Sequence, residues 1–363
     1  MRRIPANRPA RGAGRTEGVA YAADEEGREL AVVDVGHRAF RLDPSEAEIG
    51  ERIEKALADV KEQTRGGWSL RKALFPILIR RSALGRGIVS SEGAFVSGMS
   101  IYRLKLGPGN LGSWATPMDR ALADALPCYS ARLRLRDSAS LLAESCAAAI
   151  AARPGSALHL VNVAGGAAMD GINALMVLRR ADPRALDGRR VLIRVLDLDD
   201  AGPAFAARAL AALMAAGMPL EGVDARLERV AYDWSDAAAL RDAGRLAGAE
   251  GAACVASSEG GLFEYASDAD IVANLRALAE GWAEGAARSG PGGGPRGGAP
   301  RPPAWIGTLS RVDGPAAFLN GASGSSIRLR PRAELDAAVA EAGYRITRAI
   351  DCPLSTSFEL SPA

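Results

Sequence analysis

The chain has 363 residues, 48% of them apolar, and a net charge of +2, which gives material for one large or two ordinary globular domains. Lysine stands only at Lys55, Lys61, Lys72 and Lys105, and the preponderance of arginine, alanine and glycine reads as coding bias in a GC-rich genome, so the positive charge points to no nucleic acid. Cys128, Cys146, Cys254 and Cys352 form no C-x-x-C pair and have no nearby histidine for zinc, and no apolar run reaches the roughly 20 residues of a membrane helix.

Together these features predict a cytoplasmic protein without a structural metal or membrane insertion. The arginine-rich start (Arg2, Arg3, Arg8, Arg11, Arg15) is followed by no signal-peptide core, so no export is expected. Residues 1–16 read as a disordered basic arm, a nucleic-acid arm being the sharper alternative.

Residues 17–136 are read as an accessory region of mixed α and β structure that caps a substrate. Within it, Gly18 to Leu42 predicts a strand pair turning at Glu26-Gly27, with a strand over AVVDV. Ser45 and Glu48 stand three apart, as a capping box requires, and open a helix to about Thr64. Residues 70–86 carry an apolar face with basic residues; Pro76 favours a docked helix over a membrane-surface one. Ser91 to Trp114 suggests strands and a long loop leading to a helix at Met118.

From Asp137 or Ser138 a helix to about Ala152 precedes regular alternation. Strands are expected near 158–164, 191–197, 226–232, 252–257 and 304–311, and helices near 170–181, 201–216, 235–247 and 268–286. Such alternation gives a parallel sheet covered on both faces. Residues 285–303 (GAARSGPGGGPRGGAPRPP) read as a flexible insertion. After a helix over Arg332–Ala342, strands at 344–351 and 356–360 are joined only by Cys352-Pro353-Leu354-Ser355, which permits an antiparallel hairpin and no parallel crossover.

The densest functional signal runs from Leu158 to Asp200. The apolar run LHLVNVA ends at Gly165-Gly166, a helix begins near Met169-Asp170, and about 30 residues on a second apolar run closes on Asp197-Leu198-Asp199-Asp200. A glycine turn lets backbone approach a ligand, and a carboxylate at the next strand end suits a ribose. The turn is neither G-x-G-x-x-G nor a Walker A loop, which points to a nucleoside with little or no phosphate, S-adenosylmethionine being the candidate.

Five βα units, a helix and a terminal hairpin over residues 137–363 resemble the class I S-adenosylmethionine-dependent methyltransferases. The resemblance implies an α/β fold with a doubly wound, mostly parallel seven-stranded sheet and S-adenosyl-L-methionine as cofactor. Its glycine-rich first motif is similar to Asn162-Val163-Ala164-Gly165-Gly166, although an acidic residue usually stands at Asn162 and the third glycine is absent. It assigns the ribose hydroxyls to Asp197, beside Leu198, and the adenine amino group to Asp233, with Trp234 or Tyr232 stacking on the ring. After the fourth strand, Ser257 and Ser258 fall with the cofactor, while Glu259, and second Glu264 and Tyr265, are candidate general bases for an oxygen or nitrogen acceptor. A carboxylate there equally suits the methionine amino group. Each residue also has a plainer role, since Asp197, Asp199, Asp200 and Asp233 suit helix caps and Gly260-Gly261 a turn.

His37 in the accessory region and His159 inside a strand leave no Ser-His-Asp arrangement, and no G-x-S-x-G elbow is present. Two other classes stay open: a nicotinamide oxidoreductase using the same turn and Asp197, and a non-catalytic protein of this fold, serving as a partner subunit or cofactor sensor. The expected partner is a small-molecule acceptor, with no nucleic acid or membrane; the oligomeric state is open, a homodimer included.

Overall fold

The computed structural model describes residues 15–65, 79–89, 97–288, 301–313 and 327–363. The readings of a disordered arm, of most of the 70–86 segment, of strands at 91–96 and of the core of the 285–303 insertion lie outside them.

Strands β1 (Tyr21–Ala23) and β2 (Glu29–Ala31) form the expected hairpin, but β2 stops short of the AVVDV strand. Val32 still donates to Ala20 O, and the outward-facing amides of Val33 and Val35 are met by Tyr102 Oη and Asn173 Oδ1 in place of a further strand. Helix α1 (Glu46–Arg65) starts on the expected box, with Ser45 donating its amide to Glu48 and Glu48 returning its own to Ser45 Oγ. Then follow α2 (Ala83–Val89), α3 (Gly98–Lys105) and α4 (Pro117–Asp124). Helix α3 replaces the strands expected here; Ser97 caps it, and its Met99 and Tyr102 are buried. Helix α5 (Leu126–Ala152) begins well before Asp137, because Pro127 sits in its first turn and two faces are buried, Leu126, Tyr129 and Leu133 on one and Leu135, Leu142 and Cys146 on the other.

Beyond α5 the alternation is as predicted: β3 (Leu158–Val163), α6 (Met169–Ala181), β4 (Arg190–Asp197), α7 (Ala201–Leu213), β5 (Asp224–Ala231), α8 (Ala238–Ala249), β6 (Ala253–Ser258), the single turn α9 (Leu262–Tyr265), α10 (Asp268–Arg288), β7 (Ala304–Ser310), α11 (Arg332–Glu341), β8 (Tyr344–Asp351) and β9 (Ser355–Pro362). The sheet order is β5-β4-β3-β6-β7-β9-β8, with β5 to β7 parallel and β9 antiparallel to both neighbours. Every residue of β3 and β6 is buried, as continuous apolar runs at the centre of a parallel sheet require, whereas β5 and β8 alternate in burial as edges do.

Alternate residues feed two cores. Leu158, Leu160, Val191, Ile193, Ala253 and Val255 pack with α5, α6, α7 and the accessory region; Val161, Val163, Leu196, Ala256 and Trp305 pack with α8, α10 and α11. On the second face α8 meets α10 through Gly244, Gly248, Gly281 and Gly285, each of which stands against the other helix's backbone where any side chain would clash. The chain winds outward from β3 to β5 and then returns to β6, so the order reverses between β3 and β6. Ligands in open α/β sheets bind outside the carboxyl ends of strands at such a reversal.

Candidate functional site at the sheet reversal

The turn leaving β3 is strained. Ala164 (φ 50°), Gly166 (φ 51°) and Ala168 (φ 51°) are all left-handed, and only one of them is glycine. A left-handed alanine costs about 1–2 kcal/mol, a strain that clusters where function requires a fixed backbone. Two bonds hold the turn against β4: Ala164 N donates to Leu196 O at 2.8 Å, and Gly166 N donates to Asp197 Oδ2 at 2.8 Å. The other Asp197 oxygen accepts the Asp199 amide at 2.9 Å. Burial pushes the Asp197 carboxyl above its ordinary range, against the opposing pull of these two amides. Next to it Leu198 is 63% exposed, a rare large apolar side chain left in solvent.

Beneath the turn, Asn162 Nδ2 donates to Asp170 Oδ1 at 2.7 Å and to Ser257 Oγ at 3.0 Å, joining the ends of β3 and β6 to the start of α6. Gly165 sits directly on this amide, where a Cβ would collide with the Asn162 side chain. Ser258 Oγ accepts the Leu262 amide and so fixes the turn after β6.

Two cations from outside the βα units reach this corner. Lys105, the last residue of α3, pairs with Glu259 Oε2, and Arg134 of α5 stands 3.8 Å from Glu259 Oε1 and 2.6 Å from Glu264. Glu264 also accepts from Ser310 Oγ. All four charged side chains are largely buried. Asp170 belongs to the same group: burial raises its carboxyl, and the neighbouring Glu259 raises it further. Glu259 Oε1, Asp170 Oδ2, Asn162 Oδ1 and Arg134 Nε have no hydrogen-bond partner although each is buried. Three acceptors and one donor in this group are thus left unpaired, and unpaired buried polar atoms are uncommon enough to need an explanation.

The sequence candidates thus divide. Asn162, Gly165, Gly166, Asp197, Leu198, Ser257, Ser258, Glu259 and Glu264 gather at the ends of β3, β4 and β6. Tyr265 is half-buried at the end of α9, its phenol raised by burial and by Glu264. Asp233 is exposed beyond β5, and its carboxylate accepts the amide and hydroxyl of Ser235, both at 2.9 Å, which lowers its pKa. Trp234 is half-buried, with its carbonyl bonded by Asn274, and Tyr232 is buried with its hydroxyl on Asn274. Lys105, Arg134 and Asp170 were missed. One signal was available: Lys105 is the only lysine outside the 55–72 stretch of an arginine-rich chain.

Helix α3 spans this corner. At its start Gly98 packs backbone to backbone on Gly166, a Cβ on either meeting the other's Cα at 2.6 or 2.8 Å, and at its end Lys105 holds Glu259. Gly202 of α7 approaches Gly166 from the other side, at 2.7 Å for a Cβ built on it.

Five parallel strands in doubly wound order, closed by an antiparallel hairpin whose last strand inserts between β7 and β8, define one architecture. The chain has the class I methyltransferase fold. No family model matches the chain, and no curated protein sequence matches it. Solved structures do: magnesium protoporphyrin IX methyltransferase from Synechocystis PCC 6803 with bound SAH, at 14% identity and a TM-score of 0.38 over 64% of this chain and 87% of that one; the pyocyanin biosynthetic protein PhzM, at 13% and 0.38 over 68% of this chain and 59% of that one; and N,N-8-amino-8-demethyl-D-riboflavin dimethyltransferase from Streptomyces davawensis, at 13% and 0.37 over 78% and 71%. The assignment of the fold rests on the strand order, and no residue role is carried over from these proteins.

Among the described residues no group of His, Cys, Asp and Glu is placed to hold a metal ion, and no helix is long and apolar enough to cross a membrane.

Proposed function

We propose that the chain binds S-adenosyl-L-methionine and transfers its methyl group to an oxygen or nitrogen of a small-molecule acceptor. The observation that carries this reading is the direct bond from Gly166 of the strained turn to Asp197, which joins the turn after β3 to the end of β4 beside the sheet reversal. Each Asp197 oxygen spends one lone pair on an amide and keeps another, so the carboxylate still accepts two ribose hydroxyls. Exposed Leu198 offers an apolar face for a base, and the absence of any Gly-Lys-Ser/Thr phosphate cradle fits a ligand without phosphates. The unpaired oxygens of Asp170 and Glu259 suit an ammonium group.

When bound, the sulfonium supplies an electrophilic methyl group for in-line displacement. The protein's part is to align the acceptor, exclude water and take up a proton. Glu259, paired with Lys105, is better suited to hold a cation than to accept a proton, because protonation forfeits the pair. Glu264 shares its carboxylate with Arg134 and Ser310 in the same way. Tyr265, beside them, is kept protonated by burial and by Glu264, so its phenol is better suited to donate a hydrogen bond to the acceptor than to take its proton.

Calorimetry with S-adenosylhomocysteine tests the reading. A dissociation constant in the micromolar range, about −7 to −8 kcal/mol, is expected; no heat up to millimolar ligand, or stabilisation by NADH instead, rejects it.

A second reading is supported by one observation: Gly98 seats α3 on the glycine turn itself. A protein of this fold that binds the nucleoside as a sensor or partner subunit accounts for so close a contact, and binding without turnover across an acceptor library is its signature.

A further inference from the structure

Glu259 is held asymmetrically. Its Oε2 pairs with Lys105, while its Oε1, also buried, has no hydrogen bond and only the Arg134 Nε at 3.8 Å, itself without a partner. A free glutamate has two equivalent oxygens and three rotatable bonds; a pair on one oxygen removes that freedom and leaves Oε1 unpaired, and the neighbouring Asp170, close enough to feel the Glu259 charge, likewise keeps one unpaired oxygen, Oδ2. Lys105 itself has little freedom, because α3 is anchored on both flanks. Tyr102 donates to Ala31 O and stacks at 4.5 Å on Phe205 of α7, and Arg103 pairs with Asp24 at 2.8 Å and Glu25 at 2.7 Å. The ammonium is thus delivered by a fixed helix. The group around Glu259 is completed by Arg134 of α5, Asp170 of α6, and Glu264 and Tyr265 of α9.

We propose that Lys105 is a positioning residue, contributed by the accessory region, that orients Glu259 so that its Oε1, with Asp170, receives the ammonium of an amino-acid-bearing nucleoside. The inference rests on the reading proposed above and adds to it a residue outside the βα units. Lys105 touches no ligand in this scheme; it acts through Glu259. It also makes the accessory region a working part of the cofactor site.

The test compares two probes by calorimetry: S-adenosylhomocysteine, and 5′-methylthioadenosine, the same nucleoside thioether without the amino-acid end. Lys105→Met is expected to weaken the first by about tenfold or more, the scale of one hydrogen bond to a charged group, and to leave the second unchanged. Lys105→Arg, which keeps the charge, recovers part of the loss. A merely structural lysine weakens both probes equally or neither, and either result overturns the proposal. Equal affinity of the native protein for the two probes overturns it as well, since the amino-acid end is then not recognised. If the native protein binds neither probe, the nucleoside reading itself fails and takes the proposal with it.

Discussion

Gly166 and Asp197 lie 31 residues apart and meet through one backbone amide, donated to Oδ2 at 2.8 Å. The bond ties the turn after β3 to the end of β4, so the carboxylate both shapes the glycine turn and lies beside the exposed Leu198. Asp197→Ala is expected to weaken S-adenosylhomocysteine by about 1.5–3 kcal/mol, because a charged acceptor is removed. Titration of Asp197→Ala beside Asp199→Ala checks this, and a larger loss at Asp199 shows that the strand-end register has been misread.

Glu259→Gln distinguishes anchor from base. As an ammonium anchor, Glu259 gives up more than about 1.5 kcal/mol of S-adenosylhomocysteine affinity on this change. As a base it keeps its affinity and loses about 100-fold in turnover. The first outcome is expected, since Lys105 already occupies one oxygen. Isothermal titration and single-turnover rates on the same preparation decide.

Ala164 is left-handed at the entrance to the turn. Replacing it with glycine relieves about 1–2 kcal/mol of strain and costs about 0.5–1 kcal/mol in unfolded-state entropy. Ala164→Gly should therefore raise stability by roughly 0.5 kcal/mol, whereas Ala174→Gly, inside α6, should lower it by about 1 kcal/mol. Urea unfolding of the two variants measures both signs, and a destabilised Ala164→Gly refutes the strain argument.

Asp170 carries a pH signature. Burial, and then Glu259, raise its carboxyl above the ordinary value of 3.8. Between the ordinary and the raised value the native state binds more protons than the unfolded chain, so this group's contribution is fully present below about pH 4 and is lost as pH rises through the folded value. Asp170→Asn removes that slope. Denaturant titrations should find the variant gaining on the native protein from pH 4 to pH 7; parallel curves reject the assignment.

Much of the fold was legible because a parallel sheet writes itself in continuous apolar runs. Strands β3, β4, β6 and β7 and the hairpin β8–β9 fall within a residue or two of their expected limits. The turn at Gly165-Gly166 and the carboxylate at Asp197 were legible for a related reason, since both sit where such runs end. What could not be read is non-local. Lys105 and Arg134 reach Glu259 from 154 and 125 positions away along the chain, through helices whose own periodicity says nothing of that meeting. The glycines and hydroxyls of 91–114 suggest strands and a loop, but Ser97 serves as a helix cap and Met99 and Tyr102 are buried, Tyr102 against β2 and α7, which makes 98–105 the helix α3. At Asp233 the plainer role of helix cap is not seen: the carboxylate closes a turn on Ser235, three residues before α8 begins without a side-chain cap.

The seam between α8 and α10 constrains how the second face of the sheet can move. At Gly244, Gly248, Gly281 and Gly285 the helices touch through peptide groups, with no rotamers to yield and no methylenes to compress. A side chain can step aside, but a carbonyl in a helix cannot without breaking the helix. That wall behind β6 therefore moves as one slab or stays still, whereas the opposite face is held through side chains, Tyr102, Arg103 and Lys105 of α3, with backbone contact only where Gly98 meets Gly166.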